Sequence, residues 1–428
     1  MVIAFSALTQ APSGAQSSNE KPKATEVGIS ETEIHIAVLA DVDTPLAPGL
    51  FKGAVDGVRA AAKYFNSTAG GGGIAGRKVV VDFTDSKLNP TAARNGIITA
   101  CQQDFAMIGS AMAFATNVDD EVTCKDKAGA ATGLPDLPGF AVSVTQSCSP
   151  VAFPVNPSQL DCATKDQSPQ TYRSADGSTR YLIKKVGKAL HGAFLFGSDT
   201  KDGVRGSRVV DDGNIAAGIK ADQQIGVGGS QPQSAYTPIV NKMKQDGSNF
   251  GTAATDTSMI LLRSEAQLQG LGSDVVWYCG CYSQADAANP VLDGTWVDLI
   301  YLPVEEASSN PMLKTFLQYV GRDNADQFAV YAWAATMEFA EAAKAVVAKR
   351  GVNGLTRKAL LSDGIPTLTK FDSGGMIGVR NIPQRSSSSC FVMMRIEHGK
   401  YVRQYPAKKG TFDCDPKSNL TIKADYVG

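Results

Sequence analysis

The chain has 428 residues and a formal net charge of −1, with 41 basic against 42 acidic side chains, so it lacks the basic footprint of a nucleic-acid binder. With 43% hydrophobic and 19% charged residues it is too apolar to be disordered, and its length corresponds to two or three domains of roughly 150 residues. No run reaches the roughly 18 uninterrupted apolar residues of a membrane span.

Residues 2–8 form a short apolar run followed by the small residues around Ala15. The pattern reads as a secretory signal lacking its basic start, with a flexible arm as the alternative. Residues 17–30, rich in Ser, Lys, Glu and Pro, read as a disordered lead-in. A β-rich run at 34–40 follows. Phe51, Ala54, Val55, Val58, Ala61, Ala62 and Phe65 then recur at the three- and four-residue spacings of one helix face. Next come a strand at 78–83, a helix at 91–104 and a strand at 105–109. Alternation at this spacing predicts βαβ units and a mostly parallel sheet. Residues 132–178 carry six prolines and read as a crossover or linker.

Alternation resumes with strands at 191–197, 223–227, 250–254 and 274–279, separated by helices at 202–217, 236–245 and 258–271. Two further helices are predicted at 312–320 and 328–349. A hairpin around His398-Gly399, with strands at 390–396 and 400–404, closes the pattern. Two βα series parted by a proline-rich segment predict two α/β lobes, an architecture that binds ligands beyond the carboxyl ends of its strands.

The eight cysteines include no Cys-x-x-Cys or Cys/His cluster, and the three histidines (His35, His191, His398) are scattered, so no metal site is expected. In an exported protein the cysteines read as disulfides; in a cytosolic one they would be buried thiols. Eight cysteines allow 105 connectivities, so the pairing stays open; the local one is Cys101–Cys124, Cys148–Cys162 and Cys390–Cys414. Cys279 and Cys281 are left to each other or free.

Catalytic patterns are missing. Gly70 to Gly73 precede a strand rather than a helix, and no Lys-Ser or Lys-Thr follows, which argues against a phosphate loop. There is no Gly-x-Ser-x-Gly elbow, His-Glu-x-x-His motif or plausible Ser/His/Asp set. The chain is read as a non-enzyme without a cofactor.

Several segments in order carry a resemblance. These are residues 34–40, Lys63-Tyr64-Phe65-Asn66, Gly72-Gly73-Ile74-Ala75-Gly76-Arg77-Lys78-Val79, Asp85-Ser86-Lys87-Leu88-Asn89-Pro90, Ser234-Ala235-Tyr236-Thr237-Pro238 and Glu265-Ala266-Gln267-Leu268-Gln269-Gly270-Leu271. Over residues 33–406 the chain resembles the branched-chain amino acid type of ABC-transporter solute-binding proteins. The resemblance implies a type I periplasmic binding fold: an α/β protein of two lobes, each a mostly parallel sheet flanked by helices, with the ligand cleft between them. It divides the chain into a signal remnant and lead-in (1–32), an N-terminal lobe (33–155 and 304–372), a C-terminal lobe (156–303 and 373–410) and a tail (411–428).

The implied function is extracytoplasmic capture of a small organic solute by hinge closure, for delivery to an ABC permease in the membrane by a monomeric protein. The alternatives are a sensor of the same fold that signals to a partner, and an enzyme on an α/β scaffold. Relatives grip a ligand carboxylate in the loop that is here Ser110, Ala111, Met112, Ala113 and Phe114, and again near Thr145. They bind an ammonium with a carboxylate after the strand matching 274–279. This chain has Cys279-Gly280-Cys281-Tyr282 there and no acid until Asp286. Asp199, Asp202 or Asp256 are therefore the expected substitutes, with Tyr282 as an aromatic wall. The expected ligand has an anionic group and an apolar or aromatic body.

Overall fold

In the computed structural model, residues 20–44, 48–271 and 273–426 are described. The apolar run at 2–8 lies outside them. The alternation read from the sequence becomes two separate parallel sheets. In the first, β1 (Glu33–Ala40) is central, with α1 (Lys52–Asn66), β2 (Lys78–Asp85) and α2 (Pro90–Gln103) following in chain order. Next come β3 (Ala106–Ile108) and β4 (Ala111–Met112), two halves of one interrupted strand beside β1. Gly109 makes that break at φ +71°, where a Cβ would lie 2.3 Å from Val58 Cγ2 on α1. After a single-turn helix α3 (Asp119–Val122), β5 (Asp136–Leu137) and β6 (Phe140–Ala141) line up on β3 and β4. A second single turn, α4 (Val144–Ser147), leads out of the lobe.

The second sheet takes β8 (His191–Gly197), β9 (Lys220–Val227), β10 (Phe250–Ala253), β11 (Val276–Cys279) and β12 (Trp296–Leu299) in parallel. Before it stand β7 (Gln170–Ala175) and α5 (Gly177–Val186); between its strands run α6 (Lys201–Ala216), α7 (Thr237–Asp246), α8 (Asp256–Leu268) and the short α9 (Gln284–Ala288). The chain then returns to the first lobe through α10 (Pro311–Val320), α11 (Gln327–Arg350) and α12 (Arg357–Ala359). α11 lies along α1, its face of Val330, Trp333, Ala334 and Met337 wholly or nearly buried. The hairpin of β13 (Val392–Glu397) and β14 (Lys400–Tyr405) adds antiparallel strands to the second sheet beside β12. Two cores flank the first sheet. Ile34, Ile36 and Val38 face α1 and α11, whereas Ala37 and Leu39 face α2.

Three sequence expectations need correction. Residues 132–178 are not only a linker, because β5 and β6 complete the first sheet and β7 follows. The tail, given no element from the sequence, carries β15 (Asn419–Ala424), which pairs with all six residues of β7. The lead-in is tied down from residue 20 onwards: Arg77 donates to the Lys23 carbonyl at 2.7 Å, Thr25 Oγ1 to the Leu355 carbonyl at 2.8 Å, and buried Glu26 accepts Lys127 N at 2.7 Å. Polar composition hid these contacts, which are hydrogen bonds to distant backbone rather than apolar packing.

All three local cysteine pairs form disulfides, and Cys279 bonds Cys281. Cys390–Cys414 fastens the tail to β13, beside a backbone bond from Phe391 N to the Asp413 carbonyl at 2.8 Å. Replacing both cysteines by serine will destabilise the protein by about 3 kcal/mol in the loop-entropy account, read as a lower denaturant midpoint. An unchanged midpoint would mean that the β7–β15 ladder alone holds the tail.

Candidate functional site

The carboxyl ends of β1, β4, β10 and β11 carry the loops that a two-lobed α/β protein offers to a ligand. In the first lobe Asp41 follows β1, and its buried carboxylate accepts Ser86 Oγ at 2.6 Å, Leu88 N at 2.7 Å and Ala113 N at 2.8 Å. One side chain thus clamps the loops after β2 and β4 onto the end of β1. Ser110 is buried within the sheet, its Oγ accepting Leu39 N at 3.1 Å, and Met112 is fully buried against Leu39 and Ile97. These two residues are scaffold rather than wall. Ala113 and Phe114 stay partly exposed on the docked loop. Thr145 is exposed on α4, beside an outer groove shared with Val118, Asp119 and Lys165.

In the second lobe, exposed Asp199 accepts Gly229 N at 2.8 Å, closing the loop after β9. Asp202 pairs with Arg205, whose other nitrogen donates to the Val142 carbonyl at 2.8 Å and so reaches the segment leaving β6. Both acids are committed to local contacts. Asp256 is different. It opens α8 after β10 and is hydrogen-bonded to Asp286, which lies in the first turn of α9 after β11. Ser283 sets that turn, its Oγ donating to Asp286 Oδ2 at 2.7 Å and accepting Asp286 N at 3.0 Å.

Burial, then the neighbouring Asp286 carboxyl, pushes Asp256 up to about 7. Asp286 is also raised by burial. The pair therefore shares a proton near neutrality, and no cation is among the leading influences on either group. A third acid, Asp326, caps α11 in the first lobe, accepting Ala329 N at 2.8 Å, and its charge acts on Asp256. Burial raises Asp326 to about 6. Gly53 on α1 makes room for it, since a Cβ there would lie 2.0 Å from Asp326 Oδ1.

Aromatic rings run from one lobe to the other beside these acids. Phe51 meets Phe328 at 4.8 Å between centroids, Phe328 meets Phe140 at 5.8 Å, and Phe140 stacks on Tyr331 at 6.4 Å. Tyr331 then contacts Tyr301 at 5.5 Å, Tyr301 contacts Tyr282 at 5.5 Å, and Tyr282 contacts Tyr401 at 4.5 Å. Tyr301 stands where the chain leaves β12 and is bridged to Ile377, so the run crosses at the connection between lobes. The Tyr282 hydroxyl donates to Glu305 Oε2 at 2.7 Å and accepts Val304 N at 2.7 Å. Tyr282 is thus a buried brace rather than the open loop residue expected. The Cys279–Cys281 disulfide closes the turn just before it.

Asp286, Asp326 and Glu305 are not among the candidate residues read from the sequence. Asp286 was set aside because it lies several residues beyond the strand, yet the first turn of α9 folds it back to the strand ends. The signal was present as a Ser-x-x-Asp helix start at Ser283–Asp286.

The profile of the periplasmic binding protein family matches residues 33–400. The chain belongs to that family. Solved structures share the fold at low identity. A fatty acid ABC transporter substrate-binding protein from Thermomonospora curvata is 13% identical with a TM-score of 0.64, covering 91% of this chain and 98% of its own. A leucine-binding protein from Thermotoga maritima is 14% identical with a TM-score of 0.64, over 90% of this chain and 99% of its own. A solute-binding protein from R. palustris, solved with benzoate, is 14% identical with a TM-score of 0.63, over 90% of this chain and 98% of its own. No curated protein matches the sequence. The family is one of binding proteins, and its two-lobed mixed α/β architecture is the one described above.

Proposed function

We propose that the protein captures, outside the cytoplasm, a small solute bearing an ammonium group and an apolar or aromatic body, and presents it to an ABC permease. The observation that carries this reading is the Asp256–Asp286 pair at the ends of β10 and β11, with Asp326 opposite and aromatic rings alongside. A buried and a partly buried carboxyl sharing one proton, with no basic group among the leading influences on either, form a site that a cation can complete. An ammonium supplies three donors, and of the rings in the run Phe140 and Phe328 are the partly exposed ones open to the rest of the molecule. Of the residues expected from the sequence, Ala113, Phe114 and Asp256 stay in the proposed site; Asp286 and Asp326 join them.

Membership of the family supports solute capture, and the preference for an ammonium over an amine-free acid rests on the acid pair alone, since the structural neighbours are named for leucine, benzoate and fatty acid alike. Closure would follow from contact with both lobes, since a ligand shifts an open–closed equilibrium only by its differential affinity. The protein acts as a monomer in this reading and catalyses no reaction.

A thermal-shift screen with free amino acids and with amine-free carboxylic acids tests the proposal. A ligand at about a thousand times its dissociation constant stabilises a one-site protein by about 4 kcal/mol. Apolar or aromatic amino acids are expected to raise the melting temperature. A response confined to amine-free acids would keep solute capture and overturn the ammonium site.

A further inference from the structure

We propose that His35, Asp82 and Asp104 form a binding site for a divalent transition-metal cation of the Zn²⁺ class, at the end of the first lobe away from the cleft. The three residues come from separate segments: His35 from β1, Asp82 from the adjacent β2, and Asp104 from the end of α2 leading into β3. His35 stands on the same face of β1 as Ala37 and Leu39, the face covered by α2. One donor atom from each residue lies within 4.8 Å of the others. One imidazole nitrogen with two carboxylate oxygens is a donor set suited to zinc and its neighbours, leaving a position for water. Spacing along the chain concealed the cluster, since no two of its members are close in sequence.

Asp104 gives the arrangement its second, independent sign. Its residue is 2% exposed, and its Oδ1 is buried with no hydrogen-bond partner. An orphaned buried carboxylate oxygen is costly unless something fills its place.

The other two ligands are open. His35 is 37% and Asp82 49% exposed, which leaves an entry path. His35 Nδ1 faces Asp82 Oδ2 at 2.8 Å, and on the opposite side of the ring Glu33 lies 3.6 Å from Nε2. Metal at Nδ1 would take the place of the hydrogen that lies between it and Asp82, leaving the Nε2 hydrogen on the side of Glu33. Besides His35, Arg357 is the basic group that acts on Asp104. Its guanidinium is engaged by the carbonyls of Cys101, Asp104, Phe105 and Lys125, and it ranks last among the influences on that carboxyl. Occupied, the site would fasten β1 to β2 and to the start of β3. It stands about 20 Å along β1 from Asp41, at 3.3 Å per residue, and so is separate from the solute site.

The test is a Zn²⁺ titration of the metal-stripped full chain by calorimetry, with cobalt(II) absorption as a spectroscopic readout. One equivalent is expected, accompanied by proton release and a rise in melting temperature. His35→Asn and Asp104→Asn should each weaken binding by at least tenfold, and Glu33→Gln by roughly tenfold, the scale for a ligand's supporting carboxylate. His191→Asn, which removes a different His–Asp pair, should leave binding unchanged. His35→Asn alters a half-exposed side chain, and its fold is checked by circular dichroism. Failure of the wild type to bind zinc stoichiometrically would overturn the site, as would binding indifferent to His35→Asn and Asp104→Asn.

Discussion

Asp286→Asn will weaken binding of an amino-acid solute by at least roughly 30-fold, with a corresponding loss of the ligand-induced thermal shift. Removing one partner of a buried, hydrogen-bonded charge pair costs about 2–5 kcal/mol, and 2 kcal/mol is already about a 30-fold change in affinity. The substitution keeps the side-chain shape, so the turn set by Ser283 and the start of α9 stay in place. Wild-type affinity should also depend on pH, with a definite sign. The free site holds a proton because burial and Asp286 raise Asp256 to about 7, and an ammonium displaces that proton. Affinity therefore rises as pH climbs towards 7, by up to about tenfold per unit, and levels off above it.

Stability of the ligand-free protein runs the other way. A carboxyl whose folded value is raised contributes stability that is complete below the ordinary carboxylate range and lost as pH rises through about 7. Calorimetry and melting curves between about pH 5 and pH 8 would show both trends. Affinity untouched by Asp286→Asn, or flat with pH in the wild type, would remove the pair from the site.

Arg403→Ala will lower stability by about 3–5 kcal/mol, the scale for stranding one member of a buried ion pair. Glu306 follows β12 on the way to α10, Arg403 lies on β14, and their side chains are 2% and 5% exposed. The guanidinium engages both carboxylate oxygens, with Nη2 to Oε2 at 2.6 Å, and Nη1 donates to the Pro406 and Thr411 carbonyls at 3.1 Å each. Gly410 N adds a bond to Glu306 Oε2 at 2.9 Å. The pair thus ties the connection between lobes to the loop after the last hairpin. Without Arg403, Glu306 is left charged and buried, or must take up a proton; either way the melting temperature falls by roughly 5–10 °C. Arg403→Met combined with Glu306→Leu should recover much of the loss, because apolar side chains of similar size need no partner. A single Arg403→Ala protein that melts with the wild type would show that water already reaches the carboxylate.

The elements most legible in the chain were those whose apolar periodicity serves one core. The pattern from Phe51 to Phe65 became α1, the long pattern near the end became α11, and the two lie together exactly because each carries an apolar face. β5, β6, β7 and β15 were missed. The first two are two residues each between prolines, and the last two alternate polar residues at a rim where little is buried. The proposed site was half legible. Asp256 sits immediately beyond a strand and could be named, whereas Asp286 needs one helical turn to return to the same place, and Asp326 arrives from the other lobe.

The sequence by itself determined the alternation of strands and helices, the two lobes and the likeness to a family, because these follow from periodicity and ordered motifs. Tertiary structure decided which acids meet. Whether a carboxyl is spent on a loop, as at Asp41 and Asp199, or shares a proton with another, as at Asp256 and Asp286, depends on where chain segments converge. The energy of a charge depends on its burial and nearest partners, and neither is set by its neighbours along the chain.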